Sequence, residues 1–232
     1  LVISKVKPTS WWVGVNNQQF DREARVIGLD FPEFILVAGY LMCAYPQLER
    51  TPQKLLFEEA LRARFLSLPN KPTIFAADFN CAPRDIDWHP EAFTFCKKKF
   101  LNGSPPGCSI NERVSRVRLI NAFNGRDIWE HFYPASLNHM TQFSNARMKP
   151  LKGQRLDHIV CSPGMLDGTS PVQISDMLNF QNVAGGPGKS DHSLILARLN
   201  LHVSSTAIHS SFVTHTKIPR DEVAELCKIP KP

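Results

Sequence analysis

Long apolar runs are missing from this sequence. The longest, FILVAGYLMCAY at 34–45, falls well short of the roughly 20 residues that a membrane-spanning helix needs. The opening LVISKVKPTS has no basic stretch ahead of a long apolar run, which excludes a secretory leader there. Paired cysteines are missing too. The six cysteines stand at 43, 81, 96, 108, 161 and 227 with no C-x-x-C spacing among them. That argues against a zinc ribbon or a redox dithiol and favours the reduced thiols of an intracellular protein. No methionine opens the chain, and no glutamate precedes Glu23. Neither sign of charge dominates: 27 Lys and Arg against 21 Asp and Glu leave a net +6, a modest excess that suits a polyanionic partner without specifying one. What is present is a chain of 232 residues, 43% hydrophobic and without internal repeats, enough for one large domain or two small ones around a sizeable core.

The apolar patterning predicts an alternation of strands and helices. ARVIGLDF (24–31) alternates as a strand does, and the near-continuous FILVAGYL (34–41) reads as a buried one. TPQKLLFEEALRARFLSL (51–68) predicts a helix with Thr51 as cap, Pro52 in the first turn, and Phe57, Leu61, Phe65 and Leu68 on one face. PTIFAA (72–77) is a short strand that ends abruptly in Asp78, Phe79 and Asn80. Residues 96–108 read as a loop, and SINERVSRVRLINAF (109–123) as a helix opened by Ser109 and Glu112 at capping-box spacing. RDIWEHFYP (126–134) predicts a short helix stopped by Pro134, and RLDHIVCS (155–162), PVQISDML (171–178) and SDHSLILARLNL (190–201) predict three more strands. Together these predict a mixed α/β sandwich over 1–201, with 202–232 as a C-terminal extension or linker.

Three segments share one design, an apolar strand coupled to acidic or amide residues near an end: IFAADFN (74–80), RLDHIV (155–160) and KSDHSLI (189–195); a fourth, LVAGYL (36–41), embeds Tyr40. A carboxylate beside a buried strand must be hydrogen-bonded, paired or metal-bound. Each has an ordinary reading alone. Asp78 and Asn80 are common turn residues, Asp157 can pair with Arg155, Asp191 and His192 can open a strand, and Tyr40 can be core. Gathered on one sheet edge, Tyr40, Asp78, Asn80, Asp157, Asp191 and His192 make the inventory of a metal-assisted phosphodiesterase. Such a site needs carboxylates for a hard divalent ion, a His–Asp pair, and amide and phenol donors for phosphate oxygens.

In order along the chain these blocks resemble the exonuclease III family of apurinic/apyrimidinic (AP) endonucleases, within the endonuclease/exonuclease/phosphatase superfamily. DREARVIGLDFPEFILVAGY (21–40) is similar to the family's D-x-E-G-R-V-I and L-V-x-x-Y strands, and ADFNCAPRDID (77–87) to its G-D-x-N block. INERVSRVRLINAFNGRDIWEHFYP (110–134), NARMKPLKGQRLDHIVCS (145–162) and KSDHSLI resemble its E-R helix with the aspartate-aromatic-Tyr-Pro segment, its N-A-R…R-L-D-Y block and its G-S-D-H block. The resemblance covers about residues 4–200. It implies a DNase I-like four-layer α/β sandwich, two packed mixed β-sheets flanked by helices. It implies Mg²⁺-dependent (or Mn²⁺-dependent) cleavage of double-stranded DNA 5′ to abasic sites, by a monomer acting in base excision repair, most naturally in the nucleus. A 3′-phosphodiesterase or 3′→5′ exonuclease activity often accompanies it.

The resemblance also implies roles. Asp78 would orient or deprotonate the attacking water, Asn80 would hold phosphate and water in line, and Tyr40 would donate to the phosphate. His192 would contact a non-bridging oxygen, with Asp157 fixing its orientation and favouring its charged form. Asp191, with Asp78 and Asn80, would hold the metal or its water shell. Phe143 and Leu156 are candidate walls of a slot for the extrahelical sugar, Arg147 is a further substrate-binding candidate, and Arg22, Arg25, Lys97, Lys98, Lys99, Lys149 and Lys152 are candidate phosphate contacts.

Some positions depart from the family. Its Gly before the Asp is Ala77 here, its Asn after the Tyr block is Cys43, and the aromatic beside R-L-D is Gln154. The family's metal-binding Glu, carried upstream of these blocks, has no counterpart before Glu23, so a chain lacking an N-terminal part of the family domain is expected. The alternatives to a repair enzyme are a retroelement-encoded target-site nicking endonuclease, a superfamily phosphatase, and a catalytically degenerate DNA-binding module of the same fold.

Overall fold

A computed structural model describes residues 2–45, 47–90, 105–136, 139–144 and 152–166, together with His192, Ile195, Ala197 and Leu199. All lie within the unit Leu1–Leu201. The strand expected at 171–178, most of the one at 190–201, the extension at 202–232, and the candidates Asp191 and Arg147 fall outside the described residues.

Among the described residues, eight strands and four helices alternate: β1 (Ser10–Val13), α1 (Gln18–Asp21), β2 (Val26–Asp30), β3 (Ile35–Tyr40), α2 (Thr51–Leu66), β4 (Thr73–Asp78), α3 (Ile110–Asn121), β5 (Arg126–Asp127), α4 (Ile128–Phe132), β6 (Gln142–Ser144), β7 (Lys152–Gln154) and β8 (Asp157–Cys161). Six form one mixed sheet in the order β1-β2-β3-β4-β8-β5, and β6 and β7 form a separate antiparallel pair. Among the described strands only β3 and β4 run parallel, because α2 carries the chain back between them. Of the layers expected from the resemblance, the described residues show helices over one six-stranded sheet, with the β6–β7 pair apart.

Period-2 alternation gives the sheet two unlike faces. Val26, Val37, Phe75, Ala77 and Val160 pack against Phe57, Leu61 and Phe65 of α2 and Leu119 and Ile120 of α3. The other face carries Ile74 and Cys161, covered by Ile128 and Met165, with Leu36, Ile159, Ala197 and Leu199 beside them. Each large side chain in the first cluster contributes about 1.5–3 kcal/mol by leaving water. Tyr40, Asp78 and Asp157 have the parity of Leu36, Ile74 and Ile159, so they stand on the second face.

Three boundaries differ from the sequence reading. Arg50, not Thr51, occupies the cap position of α2 and makes no side-chain capping bond; Pro52 and the buried face of Phe57, Leu61 and Phe65 sustain the helix instead. The helix predicted over 126–134 is only Ile128–Phe132, because Arg126 and Asp127 pair with Cys161 and Val160 of β8 and Asp127 caps the helix from there. In β1, unmarked by any pattern, Trp12 lies over Gly28 of β2, where a Cβ would come within 2.0 Å of the indole ring. The capping box of α3 forms as read, with Ser109 and Glu112 bonded reciprocally.

Candidate active site

The second face of the sheet brings three candidates into one row. Tyr40 is the register partner of Asp78 across the parallel pair, and Asp78 is the partner of Asp157 across the antiparallel β4–β8 pair. Tyr40 and Asp78 lie at the carboxyl ends of the two parallel strands, where open α/β sheets place ligands. His192 joins the row from far along the chain: its Nδ1 is 2.8 Å from Asp157 Oδ2, and it bridges Gln142 of β6. Asp78, Asp157 and His192 each offer a donor atom, and all three atoms lie within 4.8 Å of one another. Burial, and then the neighbouring Asp157 carboxylate, push the Asp78 carboxyl up to about 6. A cation placed there offsets both effects, so the residues present fit a hard divalent ion.

Asn80 hangs from the same strand end by an unusual backbone. Its φ of 46 is left-handed, a conformation that Asn tolerates better than most residues. Its N–H donates to Asp78 Oδ1 at 2.7 Å, and its Nδ2 donates to Leu41 O at 2.8 Å, so one side chain ties the ends of β3 and β4 together. Tyr40 is 53% exposed, with the Arg25 guanidinium 5.3 Å from its ring centre. The tyrosine is thus a surface group beside the carboxylates. Phe143 lies in β6 opposite Gly153. Leu156 is buried with Ala82, Trp88 and Cys108 directly before Asp157. Lys97, Lys98, Lys99 and Lys149 lie outside the described residues.

The sequence reading missed the ionic layer beneath this row. Arg155 does not pair with Asp157. It is buried and donates to Asp87 at 2.8 Å, Asp127 at 2.9 Å and Glu130 at 2.8 Å, which leaves Asp157 to His192. Burial opposes charge at Asp87 and Asp127. The partners win: His139, Arg155 and Arg84 hold Asp87 far below the carboxylate range, and Arg155, His158 and Arg116 do so for Asp127. His158 is buried and flanked by Arg155 and Arg116, which lowers it to about 4. A neutral imidazole protonated at Nδ1 donates to Asp127 Oδ2 at 2.7 Å, with Nε2 3.2 Å from Cys81 O. The hydroxyl of Thr141 accepts the N–H groups of Leu156 and Asp157, both at 3.0 Å, and so sets where β8 begins.

No family model matches the sequence. The chain is 28% identical over 200 residues to the DNA repair nuclease APEX1 of Danio rerio, across 84% of this chain and 59% of that protein. It is 28% identical over 204 residues to the exodeoxyribonuclease of Bacillus subtilis strain 168, across 86% and 73%. Among solved structures, the AP endonuclease of Archaeoglobus fulgidus matches with a TM-score of 0.63 at 18% identity, over 84% of this chain and 72% of that one. The 3′ phosphatase NExo of Neisseria, solved with a product DNA hairpin, matches with a TM-score of 0.63 at 20% identity, over 85% and 73%.

The chain is similar to the AP endonucleases and exodeoxyribonucleases of the exonuclease III family.

It spans 59% of the length of the zebrafish family member. The structural matches show the DNase I-like α/β fold that the resemblance implied. Within that fold, the Tyr40–Asp78–Asp157 row and its His192 partner come from four separate segments of the chain. No helix among the described residues is long and apolar enough to cross a membrane.

Proposed function

We propose that this protein is a metal-dependent DNA phosphodiesterase that cuts 5′ to abasic sites in base excision repair. The observation that carries the reading is the Asp78–Asp157 register pair with His192 at 2.8 Å from Asp157, set in a chain whose relatives are named as DNA repair nucleases and AP endonucleases.

A 3′-hydroxyl product requires that the water oxygen bond to phosphorus and the P–O3′ bond break. Asp78 orients the water and accepts its proton. Asn80, held by Asp78 and Leu41, fixes the phosphate in line, which removes much of the entropic barrier. His192 donates to a non-bridging oxygen from its Nε2, because its Nδ1 faces Asp157; charge developing on phosphorus meets a donor already in place. Tyr40 donates its phenol to the same phosphate from the open side of the row. A divalent cation, Mg²⁺ or Mn²⁺, held by Asp78 with Asn80 and Asp191, would supply positive charge against the phosphate oxygens. Phe143, Leu156 and Arg147 would line the slot and the strand beside the abasic sugar. Work on chromosomal DNA would place the protein in the nucleus, or in a mitochondrion.

The test is incision of a labelled duplex carrying one abasic-site analogue, with Mg²⁺ or with EDTA, by the natural-length protein and its His192→Ala variant. Cleavage 5′ to the site, lost with EDTA and with the substitution, establishes the reading. Nicking of undamaged duplex instead transfers the site to target-site nicking. Release of phosphate from a 3′-phosphate end without incision makes it a 3′-end-processing enzyme, and cleavage of no DNA leaves a degenerate binding module.

A further inference from the structure

Four consecutive carbonyls follow Asp78, and each meets a basic side chain. Lys54 Nζ is 3.3 Å from Phe79 O and 2.6 Å from Asn80 O. His158 Nε2 is 3.2 Å from Cys81 O, and Arg113 Nε is 3.1 Å from Ala82 O. Lys54 is the least expected of these. It sits on α2 with no exposed surface, on the same helical face as Phe57, Leu61 and Phe65. Burying an ammonium there is expensive unless its donors are all used. They are: two go to the carbonyls of Phe79 and Asn80, and the third goes to Glu112 at 3.2 Å.

Glu112 makes the arrangement a clamp. Its two oxygens accept the Gly107 N–H at 3.1 Å each, and one also accepts from the Ser109 N–H and hydroxyl. Gly107 has a φ of +81, and a Cβ on it would stand 3.1 Å from Asn80 O. Its carbonyl accepts the Ala82 N–H at 2.6 Å. The loop that presents Asn80 is therefore gripped from α2 by Lys54 and from the N-terminus of α3 through Glu112 and Gly107.

We propose that Lys54, paired with Glu112, is a positioning residue that holds the Phe79–Ala82 loop and so fixes Asn80 in the active site. A non-glycine residue in the left-handed region relaxes unless its surroundings hold it, and Lys54 holds the carbonyl on either side of the Asn80 N–Cα bond. The consequence for catalysis rests on the function proposed above; the clamp itself does not.

The experiment uses the natural-length protein and three forms: wild type, Lys54→Met, and Lys54→Met combined with Glu112→Gln. The single variant leaves Glu112 as an unpaired buried charge and takes the Lys54 cation from Glu58 as well, so thermal stability and kcat both fall. The double variant removes that charge and keeps the volume, so the melting temperature recovers. Its kcat on abasic duplex stays about 10²-fold down with KM within about threefold of wild type, and amide exchange at Asn80 and Ala82 is at least about tenfold faster than in wild type. Recovery of kcat together with stability, or wild-type exchange at those two amides, overturns the proposal. If the wild type cleaves no DNA, the proposed function fails and the exchange comparison still decides the clamp.

Discussion

Asp157 and His192 lie 35 residues apart in sequence, yet Nδ1 of the imidazole is 2.8 Å from the carboxylate. That contact selects which ring nitrogen faces the row, and it holds the imidazole against rotation. Asp157→Asn is expected to lower kcat by about 10–100-fold, and His192→Ala by about 10²–10³-fold. Steady-state kinetics on an abasic duplex check both. Equal losses in the two variants would mean that Asp157 does more than orient the ring.

Asp78 and Asp157 are register partners across two strands, and after burial the Asp157 carboxylate is what pushes the Asp78 carboxyl up. Asp78→Asn removes one of two like charges and is expected to melt a few degrees above wild type in EDTA while losing activity. Millimolar Mg²⁺ should then raise the melting temperature of wild type, since binding to the folded state stabilises it, and leave the variant where it was. A variant that melts lower than wild type in EDTA contradicts this account of the row.

Glu58 predicts a pH dependence away from the site. Burial pushes its carboxyl up to about 7 against the pull of Lys54 and Ser115. A group whose folded pKa is raised contributes stability below its unfolded value near 4.5, and that stability is lost as pH rises through about 7. Wild type should thus lose about 2 kcal/mol between pH 5.5 and 7.5 from this group. Glu58→Gln should remove that slope in urea titrations at the two pH values. Parallel curves for both proteins would show that Glu58 is ionised throughout.

The Arg155 cluster should behave as a buried ion-pair network. Arg155→Met leaves Asp87, Asp127 and Glu130 without their shared donor, and is expected to cost about 3–5 kcal/mol. The urea midpoint reports it. A midpoint close to that of wild type would mean that water or Arg116, 2.7 Å from Asp127, takes over the pairing.

Much of this protein was legible in its residues. The apolar runs at 24–31, 34–41 and 72–77 became β2, β3 and β4 within a residue or two, because a buried strand needs little beyond continuous apolar side chains. Ser109 and Glu112 marked the start of α3 because a capping box is a local bond. The short β1, β6 and β7 left no trace, being three or four residues each and stabilised by partners distant in sequence. Lys54 carried one overlooked signal, a charge on the apolar face of its helix.

The sequence by itself determined much of the strand and helix order, the resemblance to the exonuclease III family, and the kinds of side chain at the strand ends, because those depend on local pattern. Only the tertiary structure decided the pairings. Register placed Tyr40, Asp78 and Asp157 in a row, and the fold gave Arg155 to Asp87 and Asp127 rather than to its near neighbour Asp157. A buried charge takes whichever partners share its low-dielectric surroundings, and which groups those are is settled by how the elements pack.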